Sequence, residues 1–140
     1  MTTPYTGGCA CGSLRYEIES DPVFSNHCQC TDCRKRSGTG HSSYLTFPNR
    51  SAVTVRGAAK TWAIRADSGY DKHHAFCPAC GTPVYLTFDA MPGIFTIHAS
   101  SLDDPSLFAP SVITYARSAL EWDDMNPVLT AFDKSPGAAQ

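Results

Sequence analysis

The sequence predicts a mainly-β domain built from many short strands, with one short helix. The first observation is that apolar and polar residues alternate in short runs, which is the period of a half-buried strand. The second is that clusters rich in proline, glycine, asparagine and serine separate these runs. The third is that pairs of closely spaced cysteines stand next to glycines, where a shared metal could tie distant strands together.

Seven runs are predicted to be strands. In chain order they are residues 14–19, 43–47, 52–56, 61–65, 83–88, 95–99 and 112–115. The alternation is clearest in residues 14–19 (LRYEIE), where every second residue is apolar. Turn clusters at residues 48–51, 66–69 and 91–93 end neighbouring runs. We expect the strands to form several short antiparallel sheets.

One short helix is predicted directly after Cys30. Thr31 is its expected N-cap, Asp32 would lie in its first turn, and Gly38 would end it. Residues 1–132 are expected to form one domain, and residues 133–140 a flexible C-terminal tail.

Length, composition and charge restrict the classes of function. A chain of 140 residues, 42 % hydrophobic, is long enough to bury one core. The net charge of −2 supplies no basic surface for a nucleic acid, and no apolar run approaches the roughly 20 residues of a membrane span. Because the N-terminal stretch lacks the features of a signal peptide, we expect a cytoplasmic protein. In that reducing compartment, seven cysteines more readily bind metal than form disulfides.

Four of the cysteines form two pairs, each followed by a glycine. They are Cys9 and Cys11 in CACG, and Cys77 and Cys80 in CPACG. A glycine at this place can adopt a positive φ, which turns backbone N–H groups toward the sulfurs. Because structural zinc takes four ligands in a tetrahedron, the two pairs together predict one structural zinc site.

The other three cysteines are crowded into residues 26–36 (NHCQCTDCRKR). Cys28, Cys30 and Cys33 would supply three thiolates and leave the fourth position of a zinc ion open to water or substrate. Catalytic zinc sites are built in this way, whereas structural sites are closed. The triplet therefore predicts a second, catalytic zinc.

Cations and a histidine flank this triplet. Arg34 and Lys35 could bind an anionic substrate, and a solvated helix face is an equally good interpretation of the cationic run. Because neighbouring residues of a strand face opposite sides, His27 and Cys28 should not both reach one metal. We expect His27 to act beside the metal, as a proton relay or as a hydrogen-bond partner of a thiolate.

The remaining histidines are assigned ordinary structural positions. His73 and His74 precede the second cysteine pair and are expected to be exposed, although one of them could support that pair. His41 and His98 lie on strand-like runs and are expected in the core or at its rim.

Three stretches together resemble one known family. GCACGSLRY (8–16), HCQCTDCRK (27–35) and FCPACGTP (76–83), in this order, are similar to the pattern of the glutathione-dependent formaldehyde-activating (GFA) enzyme family. All seven cysteines fall on that pattern. Weaker similarity to the pattern follows in LDDP (102–105) and at Trp122, so the resemblance spans nearly the whole chain.

The resemblance implies a β-rich, tent-like arrangement of small sheets and two zinc ions per chain. It implies that the two cysteine pairs hold the structural zinc and that the triplet holds the catalytic zinc. We place His27 with the triplet among the candidate catalytic residues. The implied reaction is that of a carbon–sulfur lyase running in the synthetic direction, which joins a small thiol, glutathione, to formaldehyde. No stretch matches a glutathione-binding segment, and residues 110–113 stand where a histidine is expected, so the thiol stays open.

Two other classes of protein remain compatible with the sequence. The first is a structural or protein-binding module with two closed zinc sites, in which His27 or Asp32 completes the second tetrahedron. The second is a thiol redox centre formed by the triplet, as in peptide sulfoxide reductases that share a related zinc fold. Assembly into a homodimer through exposed strand edges is also left open.

Overall fold

A computed structural model describes residues 4–136 of the chain. In this range it has one α-helix, α1 (Thr31–Ser37), and four 3-10 turns. The strands are β1 (Tyr5–Gly8), β2 (Arg15–Ile18), β3 (Phe24–Cys28), β4 (Ser42–Phe47), β5 (Val53–Arg56), β6 (Lys60–Arg65), β7 (Asp71–Phe76), β8 (Pro83–Phe88), β9 (Phe95–His98), β10 (Val112–Thr114) and β11 (Thr130–Ala131). The predicted mainly-β class with one short helix is confirmed.

Every run predicted as a strand is a strand, with ends that differ by at most one residue. The sequence prediction misses β1, β3, β7 and β11. In β3 the buried positions are Asn26 and Cys28, and in β7 they include His74. Because these inward-facing residues are not aliphatic, the two strands lack the alternation of apolar and polar residues that predicts a strand.

The strands form two sheets. A small antiparallel sheet has the order β1-β2-β5, and a large sheet has the order β11-β10-β3-β4-β9-β8-β7-β6. In the large sheet, β10 pairs in parallel with both β3 and β11. Parallel neighbours need a long connection rather than a hairpin, and β10 lies far from β3 in the chain.

The main hydrophobic core lies between the two sheets. Leu45, Phe47 and Ile97 of the large sheet pack there with Tyr16 and Ile18 of the small sheet. All five side chains are at most 2 % exposed. Because alternate residues of a strand face opposite sides, the even-numbered residues of β4 point to the other face of the large sheet, where α1 packs.

Helix α1 begins one residue earlier than predicted. The predicted N-cap, Thr31, is wrong: the N-cap is Cys30, whose Sγ accepts a hydrogen bond from the Cys33 N–H at 3.2 Å. A cysteine sulfur here takes the place of the hydroxyl oxygen that usually satisfies this donor. Gly38 ends the helix as predicted, with a left-handed φ of 77° and its N–H bonded to the Arg34 carbonyl.

The end of the described range is joined to the segment after β10. The Ala116 and Tyr115 N–H groups donate to the carbonyls of Phe132 and Lys134. Residues 137–140, half of the expected flexible tail, lie outside the described range, and the tail stays a prediction. Over residues 4–136, no helix has both the length and the apolar character that a membrane crossing requires.

Candidate metal centres

The first cysteine cluster joins two turns that are far apart in the sequence. Cys9 and Cys11 lie between β1 and β2, and Cys77 and Cys80 lie between β7 and β8. Their four Sγ atoms lie within 4.8 Å of one another, and all four cysteines are free thiols. The structure thus brings together the two pairs that the sequence analysis combined.

The two turns have the same construction. The Gly12 N–H donates to the Cys9 carbonyl at 3.2 Å, and the Gly81 N–H donates to the Cys77 carbonyl at 2.8 Å. Both glycines have φ near +80°, which a residue with a side chain rarely adopts. Backbone N–H groups then point at sulfur, as the Leu14 N–H does at Cys9 Sγ, 3.2 Å away.

The spacing of the sulfurs fits a zinc ion. The Sγ of Cys11 lies 3.6 Å from that of Cys9 and 3.7 Å from that of Cys77. Tetrahedral zinc–thiolate bonds of about 2.3 Å would separate neighbouring sulfurs by about 3.8 Å. Four thiols at these distances are the donor set that structural zinc takes, so this cluster is compatible with such a metal.

Two hydroxyl groups that the sequence analysis missed lie beside these sulfurs. Ser13 Oγ is 3.1 Å from Cys11 Sγ, and Thr82 Oγ1 is 3.1 Å from Cys80 Sγ. The hydrogen bond from the Thr82 hydroxyl, helped by backbone N–H groups, lowers the pKa of Cys80 to about 5. A lower pKa favours the thiolate that binds metal. The available signal was a hydroxyl residue directly after each Cys-Gly pair.

The second cluster consists of Cys28, Cys30 and Cys33. Cys28 ends β3, Cys30 caps α1, and Cys33 lies in the first turn of the helix. Their Sγ atoms lie within 4.8 Å of one another, so this cluster is also compatible with metal binding. Cys28 and Cys33 are buried. The apolar and aromatic side chains that pack around the cluster are Tyr44, Leu86, Phe88 and Tyr115.

The three thiols share their protons unequally. Hydrogen bonds from Cys28 and Cys33 lower the pKa of Cys30 to about 2. The same contact with Cys30 raises the pKa of Cys28 to about 11, and the pKa of Cys33 is also raised by its two neighbours. Negative charge is therefore favoured at Cys30, and a metal that bound all three sulfurs as thiolates would displace the protons that remain.

No further His, Cys, Asp or Glu joins the triplet among residues 4–136. Asp32, one of the two residues considered for a closed second site, lies 3.7 Å from the Lys72 ammonium instead. The described chain thus offers three ligands here and four at the first cluster.

Tyr44 is a polar group in contact with the triplet, as is Thr114, which bonds Cys28. The Tyr44 hydroxyl donates a hydrogen bond of 3.2 Å to Cys33 Sγ, and the tyrosine ring lies 4.9 Å from the ring of His98. Burial, with the neighbouring sulfurs, raises the pKa of Tyr44 well above its ordinary value. The hydroxyl therefore remains a hydrogen-bond donor at any physiological pH.

The structure does not bring His27 to the triplet sulfurs. In β3 it alternates with Cys28 and pairs with Ser43, whose Oγ lies 2.8 Å from His27 Nδ1. Its ring packs edge-on against His41 and Phe108. Burial and the nearby His41 lower the pKa of His27.

The flanking cations have different surroundings. Arg34 Nη1 donates to the Ser118 carbonyl at 2.9 Å, which ties α1 to the segment after β10. Lys35 is exposed and lines a cleft together with Arg36. The cleft also contains His74, which is only 3 % exposed.

The exposed position predicted for His74 is therefore wrong, because His74 pairs with Leu86 and faces inward. His73, its neighbour in β7, instead faces the other side of the sheet and bonds Asp89. His98 is buried and His41 is half-buried, which agrees with the core or rim positions expected for both.

Comparisons with known proteins agree with this arrangement. The family model described as glutathione-dependent formaldehyde-activating enzyme matches residues 4–118. A crystal structure of a Rhodobacter sphaeroides protein is similar in fold, with a TM-score of 0.56 and 23 % sequence identity. The similarity covers 70 % of this chain and 87 % of that chain.

Proposed function

Because the chain belongs to the glutathione-dependent formaldehyde-activating enzyme family, we propose that it is a carbon–sulfur lyase that adds a small thiol to formaldehyde or a related carbonyl compound. The observation that carries this proposal is the difference between the two clusters. The first offers four sulfurs, and the second offers three in the described chain.

The two clusters would hold zinc in different ways. Cys9, Cys11, Cys77 and Cys80 would hold a closed, structural ion that links the two turns. Cys28, Cys30 and Cys33 would hold a second ion, which supplies a position that favours the thiolate form of an incoming thiol.

The chain prepares the second site with its own groups. The Cys33 N–H donates to Cys30 Sγ, and the Tyr44 hydroxyl donates to Cys33 Sγ. Both bonds stabilise negative charge on sulfur and fix the direction of the side chains. The aromatic and aliphatic walls exclude water, which strengthens these bonds.

The proposed reaction balances without an oxidant or a reductant. The thiol sulfur forms a bond to the carbonyl carbon, and the carbonyl π pair moves to oxygen. The proton lost by the thiol is matched by the proton gained by that oxygen, which gives a hydroxymethyl thioether.

A direct assay tests this proposal. We expect zinc-loaded protein to accelerate the formaldehyde-dependent loss of free thiol with at least one of glutathione, 3-mercaptopropionate and 2-mercaptoethanol. Cys30→Ser should abolish that acceleration and lower the zinc content from two ions per chain to one, with the fold kept. Asp32→Asn, in the same helical turn but outside the cluster, is the matched control and should retain both ions.

The same measurements separate the rival classes. One zinc per chain in both wild type and Cys30→Ser would contradict the second metal site. Two ions per chain with no thiol consumption would favour a protein-binding module. A reversible bond between triplet cysteines under mild oxidation, with function retained, would favour a redox centre.

A further inference from the structure

A cleft of about 240 Å³ lies between α1 and the β7–β8 hairpin. The helix contributes two cations to one wall, and the hairpin contributes a histidine and mostly apolar residues to the other. The lining residues are Lys35, Arg36, His74, Ala75, Phe76, Gly81 and Pro83.

The two cations of the cleft have no acidic partner. Neither Lys35 nor Arg36 forms an ion pair with any carboxylate of residues 4–136. The Arg36 guanidinium lies 4.2 Å from the centre of the Trp62 ring. Stacking occupies the face of a guanidinium and leaves its N–H edges available for a planar anion such as a carboxylate.

His74 supplies a second, independent observation. Neither Nδ1 nor Nε2 has a hydrogen-bond partner, although both nitrogens are buried. Because both nitrogens are buried, a ligand would reach them only after a small movement of the cleft wall, and that contact would recover the roughly 1–3 kcal/mol that an unpartnered buried polar group costs. Burial and the charges of Lys72 and Arg36 lower the pKa of His74 to about 3, so the neutral ring has one N–H donor.

The cleft and the triplet share one structural element. Helix α1 carries Cys33 on its buried side, and Lys35 and Arg36 follow directly in the same helix. The negative charge of Cys30 also acts on His74, against the effect of burial. The cleft is thus linked to the triplet through α1, and its other wall includes Phe76 and Gly81, which flank Cys77 and Cys80 of the first cluster.

We propose that this cleft binds the carboxylate of a small organic acid through Arg36, Lys35 and His74. If the proposed function holds, that carboxylate is the charged end of the thiol substrate. The volume is below the roughly 300–1,000 Å³ of typical ligand pockets, so the cleft suits one end of a substrate rather than a whole tripeptide.

The test measures binding without thiol or aldehyde. N-acetylglycine is titrated into the zinc-loaded protein while the imidazole resonances of the five histidines are followed by NMR. Its amide, N-acetylglycinamide, serves as the neutral analogue, and inorganic phosphate as the other anion. We expect saturable shifts of the His74 resonances with N-acetylglycine alone, and at least tenfold weaker binding in Arg36→Gln.

Arg50→Gln is the matched control, because Arg50 is exposed in the turn after β4 and lies outside the cleft. It should bind N-acetylglycine as wild type does. Absence of saturable shifts at His74, equal binding to Arg36→Gln, or binding of phosphate but not of the carboxylate would overturn the proposal.

A kinetic arm separates this proposal from the proposed function. With formaldehyde, Arg36→Gln should raise KM for 3-mercaptopropionate at least tenfold and leave KM for 2-mercaptoethanol unchanged. Carboxylate binding without any thiol consumption would contradict the proposed lyase activity and support the carboxylate-binding cleft. Equal rates for both thiols, unaffected by Arg36→Gln, would support the lyase activity and contradict the carboxylate-binding cleft.

Discussion

The Tyr44 hydroxyl donates a hydrogen bond of 3.2 Å to the sulfur of Cys33, and both side chains are at most 5 % exposed. The bond joins β4, in the middle of the large sheet, to the first turn of α1. The Ser42 hydroxyl, also in β4, donates to the Cys33 carbonyl at 2.6 Å, so the sheet holds Cys33 at both its backbone and its sulfur.

Tyr44→Phe should weaken zinc binding at the triplet by about 10–100-fold, the usual effect of removing a hydrogen bond to a metal ligand. The ring and its packing are kept, so the fold should be unaffected. Competition with a chromophoric chelator measures the affinity of each site.

Tyr85→Phe is the control for this substitution, because Tyr85 lies in β8 and packs on the main core rather than on the triplet. It should leave both zinc affinities unchanged. Equal zinc affinity in wild type and Tyr44→Phe would show that the hydroxyl does not orient the sulfur.

Cys80→Ser should destabilise the fold far more than Cys30→Ser. The first cluster closes a loop between cysteines 66 positions apart, whereas the triplet lies within one short segment. Loss of a ligand there removes part of the roughly 10–16 kcal/mol that a structural zinc supplies to folding. Thermal unfolding of the two zinc-loaded variants, followed by circular dichroism, makes the comparison. The assignment of structural and catalytic roles would be reversed if Cys30→Ser melted at the lower temperature.

His74→Leu should raise the free energy of unfolding by about 1 kcal/mol near neutral pH, because the histidine nitrogens have no hydrogen bonds to lose. Urea denaturation of the two proteins measures the difference. Asn26→Leu is the contrasting variant: Asn26 is also buried, but its Nδ2 donates to Thr114 Oγ1 at 2.9 Å, so this variant should be destabilised. A similar loss of stability in both variants would mean that His74 has a partner in solution.

The stability of the protein should fall as the pH drops below about 6.5. Burial lowers the pKa of His74 to about 3 and of His98 to about 4, from the ordinary 6.5. Between about pH 6.5 and 4, these two imidazoles are therefore protonated in the unfolded chain and neutral in the folded chain. Each histidine then removes up to about 1.4 kcal/mol of unfolding free energy per pH unit.

Urea denaturation at several pH values in this window measures that slope, and His74→Leu should reduce it. His73→Gln is the control variant, because it removes the neighbouring imidazole, which bonds Asp89, and keeps that of His74. Protonation of the cysteines contributes equally to all three proteins. An unchanged slope in His74→Leu would mean that His74 titrates normally in the folded state.

Much of the fold could be predicted from local pattern. In β2 and β8 alternate apolar residues face the core, and this constraint is visible in a few adjacent residues. In β5 and β6 the alternation predicted a strand although most of the residues are exposed. Gly38 likewise marks the end of α1 through its own backbone freedom. The sequence pattern did not predict strand β3, because its buried residues are Asn26 and Cys28 and their partners come from other strands.

The sequence by itself determined the sorting of seven cysteines into a set of four and a set of three, since ligand spacing and the adjoining glycines are local properties. Only the tertiary structure decided which other side chains contact the cysteines and the histidines. The Tyr44 hydroxyl bonds the sulfur of Cys33, and the His27 ring bonds Ser43 rather than a sulfur of the triplet. The His74 nitrogens have no hydrogen-bond partner among the described residues. Strand register and sheet order set these contacts, and both depend on packing between residues distant in the chain.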